Sequence, residues 1–351
     1  MKDKYENNIT VYKQILVAGP SWVGDMVMAQ SLFMELKAQY PDADIDVLAP
    51  SWSLPVLMRM PQLRQAIIMP VGHGAFGLRE RFLLGKTLRK TGYDLAIVIP
   101  RSWKSALTPY FARIVQRTGY RGEMRFGLLN DIRKLDKSIL KQTVQRYVAL
   151  GRPKTDNLES APAIHNPVLD VDSDNQESLL ISLELNKDRP AIAFMPGAEY
   201  GKAKCWPAEH FAMLAEKLVS KGAQVWLMGS AKDDAVAQQI IQAASCAHIH
   251  NLCGKTRLED VIDLLALSAM AITNDSGLMH IAAAVDCQVV AIYGSSTPEY
   301  TPPLSDKAQV MYLGLECSPC FKRECPFGHY NCLKNISVDD VIRICEKVDV
   351  L

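Results

Sequence analysis

The amino-acid sequence predicts an α/β protein built from two doubly wound, parallel-sheet domains. Short apolar segments of strand length alternate with amphipathic helical patterns in both halves of the 351 residues. A polar, acidic stretch at 169–177 separates the halves and is typical of a surface linker. We therefore expect one domain over residues 1–168 and a second over residues 169–351, whose last helix packs back on the first domain.

The predicted strands are apolar runs that end at glycine, proline or polar residues. In the first half they cover 14–18, 45–49, 66–69 and 95–99, and in the second half 191–195, 224–228, 269–273 and 289–293. A composition of 48% hydrophobic and 22% charged residues is that of a globular protein. No apolar run approaches the roughly 18 residues of a membrane-spanning helix, and no signal-peptide pattern follows Met1. A cytoplasmic protein is expected.

A phosphate cradle is predicted where the strand 269–273 runs into Asp275, Ser276 and Gly277. The helix that opens there presents unpaired N–H groups and the positive end of its dipole, and the glycine lets an anion approach the backbone. His280 follows about one turn into the helix. The alternative is that Asp275 or Ser276 only caps the helix.

A second strand–helix junction places Asp25 at the end of the segment 19–25. Ligands of open α/β sheets bind at this carboxyl edge, so Asp25 is a candidate general base; simple helix capping is the alternative. The segment lacks the spacing of a GxGxxG fingerprint or a Walker loop, which counts against NAD binding and a P-loop NTPase.

A third junction carries Gly197, Lys202 and Lys204 in a glycine-rich loop before a helix that begins near Pro207. Lysine is a suitable point charge for a diphosphate, although a loop lysine can also be merely solvated.

Together these junctions resemble the inverting glycosyltransferases of family nine, the ADP-heptose lipopolysaccharide heptosyltransferases. The similarity extends over nearly the whole chain, through the segments 19–25, 118–125, 127–131, 146–150, 196–199, 204–207, 273–280 and 293–298. One departure is Cys205, where close relatives tend to carry a basic residue.

The resemblance implies the GT-B architecture, in which two Rossmann-like domains face a central cleft. It implies transfer of heptose from ADP-heptose to the first heptose of heptosyl-Kdo2-lipid A during synthesis of the lipopolysaccharide inner core. The alternatives are a different acceptor within the same family, or a nucleotide-sugar binding protein that transfers nothing.

The resemblance also implies residue roles. Asp25 would act as the base, while Lys204, Ser276, Gly277 and His280 would stabilise the departing ADP. Asp275 would face the heptose hydroxyls. Gly197 and Lys202 would contact the donor. The adenine would lie near Gly229, Ser230 and Thr256, and no metal cofactor would be required for catalysis.

The net charge of +1 conceals a strong segregation of charge along the chain. Residues 51–150 contain 18 Lys and Arg but five acidic residues, so this part forms a cationic surface. No aromatic stacking platform accompanies the charge, which counts against nucleic acid. A phosphorylated glycolipid at an anionic membrane fits better. The candidate acceptor contacts are Arg79, Arg81, Arg101, Lys104 and Arg121. We expect a peripheral monomer at the cytoplasmic face of the inner membrane.

Four of the nine cysteines form a C-x2-C-x4-C-x6-C cluster: Cys317, Cys320, Cys325 and Cys332. This spacing could hold a structural zinc or, less readily, an iron–sulfur cluster; reduced thiols and a labile disulfide are the alternatives.

Overall fold

The computed structural model describes residues 11–72, 74–154 and 158–347. Contacts among them divide the chain into two units. The first comprises residues up to 21 together with 29–140 and 144–165, and the second comprises 22–28, 141–143 and the residues from 166 onward. The start of the first helix therefore groups with the second unit.

The first unit contains a six-stranded, wholly parallel sheet. Its strands are β1 Gln14–Ala18, β2 Asp44–Ala49, β3 Gln65–Ile68, β4 Leu95–Val98, β5 Gln116–Tyr120 and β6 Asp131–Arg133. The associated helices are α1 Val23–Gln39, α2 Leu54–Leu57, α3 Leu78–Leu88, α4 Leu107–Phe111 and α5 Thr143–Gly151. The strand order is β3-β2-β1-β4-β5-β6, so its direction reverses between β1 and β4.

The second unit repeats this arrangement. Its strands are β7 Ala191–Met195, β8 Gln224–Leu227, β9 Ile249–Asn251, β10 Met270–Asn274, β11 Gln288–Ile292 and β12 Ala308–Met311. Its helices are α6 Ser173–Ser182, α7 Ala208–Ser220, α8 Asp234–Ala243, α9 Leu258–Leu267, α10 Gly277–Ala284, α11 Asn331–Lys334 and α12 Val338–Lys347. The order is β12-β11-β10-β7-β8-β9, and it reverses between β7 and β10.

The core of the second unit lies between its sheet and α7. Phe194 of β7 packs against Phe211 of α7, with ring centroids 5.4 Å apart, and the Trp206 ring lies 5.0 Å from Phe211. Every residue of β7 is buried, as expected for a central parallel strand covered on both faces. Residues of α12 join this core, where the helix packs on α7.

The structure confirms the predicted α/β class and the eight predicted strands to within about a residue. It corrects the predicted linker: residues 173–182 form α6, whose N-cap Asp172 accepts hydrogen bonds from the backbone N–H groups of Asp174 and Asn175. The acidic composition reflects capping of this exposed helix. No helix in the described ranges is long and apolar enough to cross a bilayer.

Candidate active site

The candidate site lies at the carboxyl ends of β7 and β10, adjacent strands where the order of the second sheet reverses. Open α/β sheets bind ligands at this position. The buried Asn274 joins the two strand ends: its Nδ2 donates to the carbonyl oxygen of Pro196 at 2.6 Å, and its Oδ1 accepts from the backbone N–H of Trp206 at 2.9 Å. The loops after β7 and β10 are therefore held together.

The N-terminus of α10 has the properties of an anion site. Ser276 is the N-cap in extended conformation, and its side chain makes no capping hydrogen bond. The first N–H groups of α10, beginning at Gly277, thus have no side-chain cap and lie at the positive end of the helix dipole. This geometry suits a phosphate group.

The first turn of α1 packs on this helix terminus. A Cβ atom added to Gly24 would lie 2.7 Å from Cδ2 of His280 and 3.3 Å from the Cα of Gly277. Only glycine allows this approach. The half-buried Asp25 follows Gly24 directly, so the predicted base lies in the turn that contacts the predicted phosphate cradle.

A buried ion pair lies next to the cradle. Oδ2 of Asp275 accepts from Nζ of Lys204 at 2.5 Å and from the hydroxyl of Ser296 at 2.5 Å. The Asp275 side chain is 5% exposed and that of Lys204 18% exposed. Since charged hydrogen bonds shielded from water are strong and directional, Lys204 has a fixed position and the negative charge of Asp275 is balanced.

His280 lies fully buried behind this pair. Burial lowers its pKa to about 4, and the charge of Lys204 acts in the same direction against the opposing effect of Asp275. The imidazole is therefore neutral near pH 7 and contributes a dipole rather than a positive charge to the cradle.

The loop that carries Lys204 is held by residues from the distant segment 317–332. The backbone N–H of Ala203 donates to the carbonyl oxygen of Arg323 at 3.0 Å. The hydroxyl of Tyr200 donates to the carbonyl oxygen of Phe321 at 2.7 Å. The Tyr200 ring also meets two cations, with Nζ of Lys204 5.2 Å and Cζ of Arg323 5.6 Å from its centroid. Lys202 is exposed in the same turn.

The predicted adenine region surrounds a carboxylate that the sequence reasoning missed. A Cβ atom on Gly197 would lie 2.0 Å from Oδ1 of Asp233, and one on Gly229 would lie 2.8 Å from its Cβ. Oδ2 of Asp233 accepts from both the N–H and the hydroxyl of Ser230 at 2.8 Å. Ser230 thus belongs to a capping box, which its S-x-x-D spacing could have revealed. The hydroxyl of Thr256 is buried and has no hydrogen-bond partner within the described part of the chain.

The five predicted acceptor contacts occupy different environments. Arg101 follows β4 and Arg121 follows β5, with a guanidinium N–H of Arg101 donating to the Arg121 carbonyl oxygen at 3.2 Å. Nζ of Lys104 donates to the carbonyl oxygen of Gly74 at 3.0 Å and so supports a loop. Arg79 is exposed on α3.

Arg81 contradicts the expectation of an exposed cation. It is 6% exposed, and its Nε donates to the carbonyl oxygen of Phe76 at 2.8 Å. Burial lowers the pKa of its guanidinium. Charge counts along the sequence could not show that this arginine points inward while its neighbour Arg79 points outward.

The four clustered cysteines are half-buried free thiols. Burial raises the pKa of the Cys332 thiol, and the proximity of Cys317, Cys320 and Cys325 raises it further. Within the described ranges, however, no group of three or more His, Cys, Asp or Glu side chains is placed to hold a metal ion. The structure therefore gives no support to the predicted zinc site, which stays a prediction.

Two Rossmann-type parallel sheets, each with a reversal of strand order, define the GT-B class of glycosyltransferases. The chain belongs to glycosyltransferase family 9, the heptosyltransferase family, whose model matches residues 81–331. The predictions of the family, of the fold and of an enzyme are confirmed.

Similar proteins span almost the whole chain. Lipopolysaccharide heptosyltransferase 2 of Salmonella typhimurium is 48% identical over 336 residues, which cover 94% of this chain and 96% of that protein. Lipopolysaccharide heptosyltransferase 2 of Escherichia coli is 46% identical over 345 residues, with coverages of 96% and 98%. The structure of E. coli ADP-heptose lipopolysaccharide heptosyltransferase II matches with a TM-score of 0.85 at 43% identity, covering 95% of this chain and 98% of that one.

Proposed function

We propose that this chain transfers heptose from ADP-heptose to the first heptose of heptosyl-Kdo2-lipid A, with inversion at the anomeric carbon. The observation that carries the proposal is the uncapped N-terminus of α10 beside the buried Lys204–Asp275 pair. The names of the relatives at 46% and 48% identity support heptose transfer to lipopolysaccharide. The name of the E. coli structure at 43% identity supports ADP-heptose as the donor. In the proposal, residues 169–351 bind the donor and residues 1–168 bind the acceptor.

The donor diphosphate is assigned to the α10 terminus. The N–H groups that begin at Gly277, with the Ser276 hydroxyl, would bind its oxygens, and Lys204 would supply the nearby positive charge. Because Asp275 is paired with Lys204 and Ser296, its carboxylate would not simply repel the diphosphate. Its remaining oxygen, Oδ1, is assigned to the heptose hydroxyls.

The remaining donor contacts are assigned to the loops at the neighbouring strand ends. Gly197 and Lys202 lie in the loop after β7, on the same side as Lys204. The adenosine is assigned to the ends of β8 and β9, near Gly229, Ser230 and Thr256. The buried, unpaired hydroxyl of Thr256 would gain a polar partner from the nucleoside.

Asp25 is the proposed general base. The acceptor oxygen attacks the anomeric carbon, the bond from that carbon to the diphosphate oxygen breaks, and the hydroxyl proton passes to the Asp25 carboxylate. The neutral imidazole of His280, which touches Gly24, places no cation beside this turn. Lys204 and the α10 amides carry the leaving-group charge, so the proposal assigns no divalent metal and no zinc to the reaction.

The acceptor is assigned to the exposed arginines of the first unit. Its phosphates and Kdo carboxylates would meet Arg79, Arg101 and Arg121, while Lys104 supports the neighbouring loop. The enzyme would work as a peripheral monomer at the cytoplasmic face of the inner membrane.

The test is turnover with defined substrates. ADP-heptose is incubated with heptosyl-Kdo2-lipid A, with Kdo2-lipid A, with an acceptor that already carries two heptoses, and with no acceptor. We expect ADP release and a mass gain of one heptose with heptosyl-Kdo2-lipid A. Transfer to one of the other acceptors would change the assigned acceptor. ADP binding without transfer to any acceptor would indicate a nucleotide-sugar binding protein.

A further inference from the structure

We propose that the exposed face of α3, together with a neighbouring three-arginine cavity, docks on an anionic phospholipid bilayer. The proposal rests on the proposed lipid-linked acceptor and assigns the membrane contact to particular residues. Leu78, Phe82 and Leu83 lie on α3 with 46%, 42% and 50% of their surface exposed. The exposed Lys86 lies one turn beyond Phe82, and Lys90 follows the helix end. Apolar and basic side chains on one helix face are typical of helices that lie in a membrane interface.

The cavity continues this face at the end of α3. It has a volume of about 440 Å³ and is lined by Arg89, Tyr110, Phe111, Arg113, Ile114, Val115 and Arg117. Phe82 of α3 contacts Phe111 of the cavity wall edge-on, with centroids 5.2 Å apart. Nε of Arg89 donates to the Phe111 carbonyl oxygen at 2.8 Å. On the cavity wall, Tyr110 is 44% and Val115 is 76% exposed.

The charges in the cavity suit an anionic headgroup. Arg89 uses its Nε to hold the Phe111 carbonyl, and Arg117 uses its Nε and one Nη to hold the carbonyls of Leu128 and Ile114. The other guanidinium N–H groups remain for a ligand. Within residues 11–72, 74–154 and 158–347, no carboxylate forms an ion pair with Arg89, Arg113 or Arg117. Guanidinium groups bind phosphate oxygens well, and their apolar surroundings match the glycerol and upper acyl region of a lipid.

The position of α3 relates this face to the acceptor site. The helix is about 16 Å long. The loop before its first turn is held by Nζ of Lys104, and Phe76 of that loop stacks on Trp103 at 5.7 Å. A helix lying flat on the bilayer would therefore present its first turn, next to the loop that Lys104 holds, to a glycolipid whose acyl chains stay in that bilayer. A bilayer supplies an apolar interior for the exposed apolar residues and anionic headgroups for the arginines that form no ion pair within the described ranges.

The test measures binding of the full chain to vesicles. Vesicles of phosphatidylglycerol and phosphatidylcholine are compared with vesicles of phosphatidylcholine alone by flotation. The apolar variant is F82S/L83S, with V115S as a second variant outside the helix. The charge variant is K86Q/K90Q. Matched controls in the second unit are I181S, at a residue 81% exposed, and K187Q/K334Q, at two exposed lysines.

We expect binding to anionic vesicles only. F82S/L83S should lower the partition coefficient roughly tenfold or more, and K86Q/K90Q about 10- to 30-fold. Both controls should bind like the parent chain. Transfer to a deacylated, soluble acceptor should be unchanged in all variants, whereas transfer to acceptor embedded in vesicles should fall with binding.

Two outcomes would overturn the proposal. One is vesicle binding by F82S/L83S, V115S and K86Q/K90Q at the parental level. The other is a change of oligomeric state in sedimentation velocity without any change in vesicle binding, which would make this face a contact between copies of the chain. If the parent chain transfers no heptose to the soluble acceptor, the proposed function is contradicted instead. Vesicle binding is measured without turnover, so the two failures can be distinguished.

Discussion

Replacement of Lys204 by alanine probes the charge at the centre of the proposed donor site. The Lys204–Asp275 distance of 2.5 Å corresponds to an attraction of roughly 7 kcal/mol at an effective dielectric constant of about 20. Desolvation of the two groups offsets a large part of it, and Lys204 keeps 18% exposure. We therefore expect K204A to lose about 3 kcal/mol of unfolding free energy. The Asp275 carboxylate would stay buried and, of its partners Lys204 and Ser296, would keep Ser296.

The K204A substitution should also slow transfer, separately from its effect on folding. Removing a preorganised positive group from a leaving diphosphate typically costs about 10²- to 10³-fold in kcat. We expect K204A to lower kcat and to weaken ADP binding together, since the charge acts on the bound and on the departing diphosphate. The assays are initial rates of ADP release, calorimetric titration with ADP, and urea unfolding.

The double variant K204A/D275N separates two roles of the lysine. Without a charge at position 275, stability should return to near the parental value, while turnover should stay low. Recovery of turnover in the double variant would refute the reasoning, because Lys204 would then serve only to neutralise Asp275.

Three further predictions concern the base, the buried histidine and the acceptor face. D25N should keep ADP affinity and lose about 10²- to 10⁴-fold in turnover, measured by ADP release; near-normal turnover would make Asp25 a helix cap. His280 binds its proton more weakly in the folded state, with a pKa of about 4, than in the unfolded chain, where the ordinary value is near 6.5. Folding stability should therefore fall by about 3 kcal/mol as the pH drops from 6.5 to 4 on account of this group, and H280Q should flatten that part of the urea-unfolding profile; an unchanged profile would contradict the burial argument. The variant R79Q/R101Q/R121Q should raise the KM of the acceptor and leave that of ADP-heptose nearly unchanged, as should raised salt; equal effects on both substrates would contradict the assignment of these arginines.

The sequence predicted the central strands well because they are buried on both faces. β1, β7 and β10 are near-continuous apolar runs that end in polar loops. Strands β6 and β9, of three residues each, lie at sheet edges and have polar sequences. They carry no alternation by which they could be recognised.

The sequence indicated which loops form the candidate site, but it did not show which side chains contact each other. Strand–helix junctions indicated the segments that contain Asp25, Lys204 and Asp275, since such junctions gather at one edge of a parallel sheet. The sequence did not show which of these side chains would pair, because Lys204 and Asp275 are 71 residues apart. Ser296, the other hydrogen-bond partner of Asp275, follows another strand. The neutral state of His280 depends on complete burial, which is a property of the folded packing.

The hydrogen bonds from Ala203 to Arg323 and from Tyr200 to Phe321 use main-chain carbonyls of a segment about 120 residues downstream. Because those bonds depend on the path of the backbone, many side chains could be exchanged along 317–332 while Lys204 keeps its place. Insertions, deletions or proline substitutions there would move the lysine instead. Insertions, deletions or proline substitutions in the segment 317–332 could thus change nucleotide affinity, during evolution or in engineered variants, without altering any residue assigned to the nucleotide.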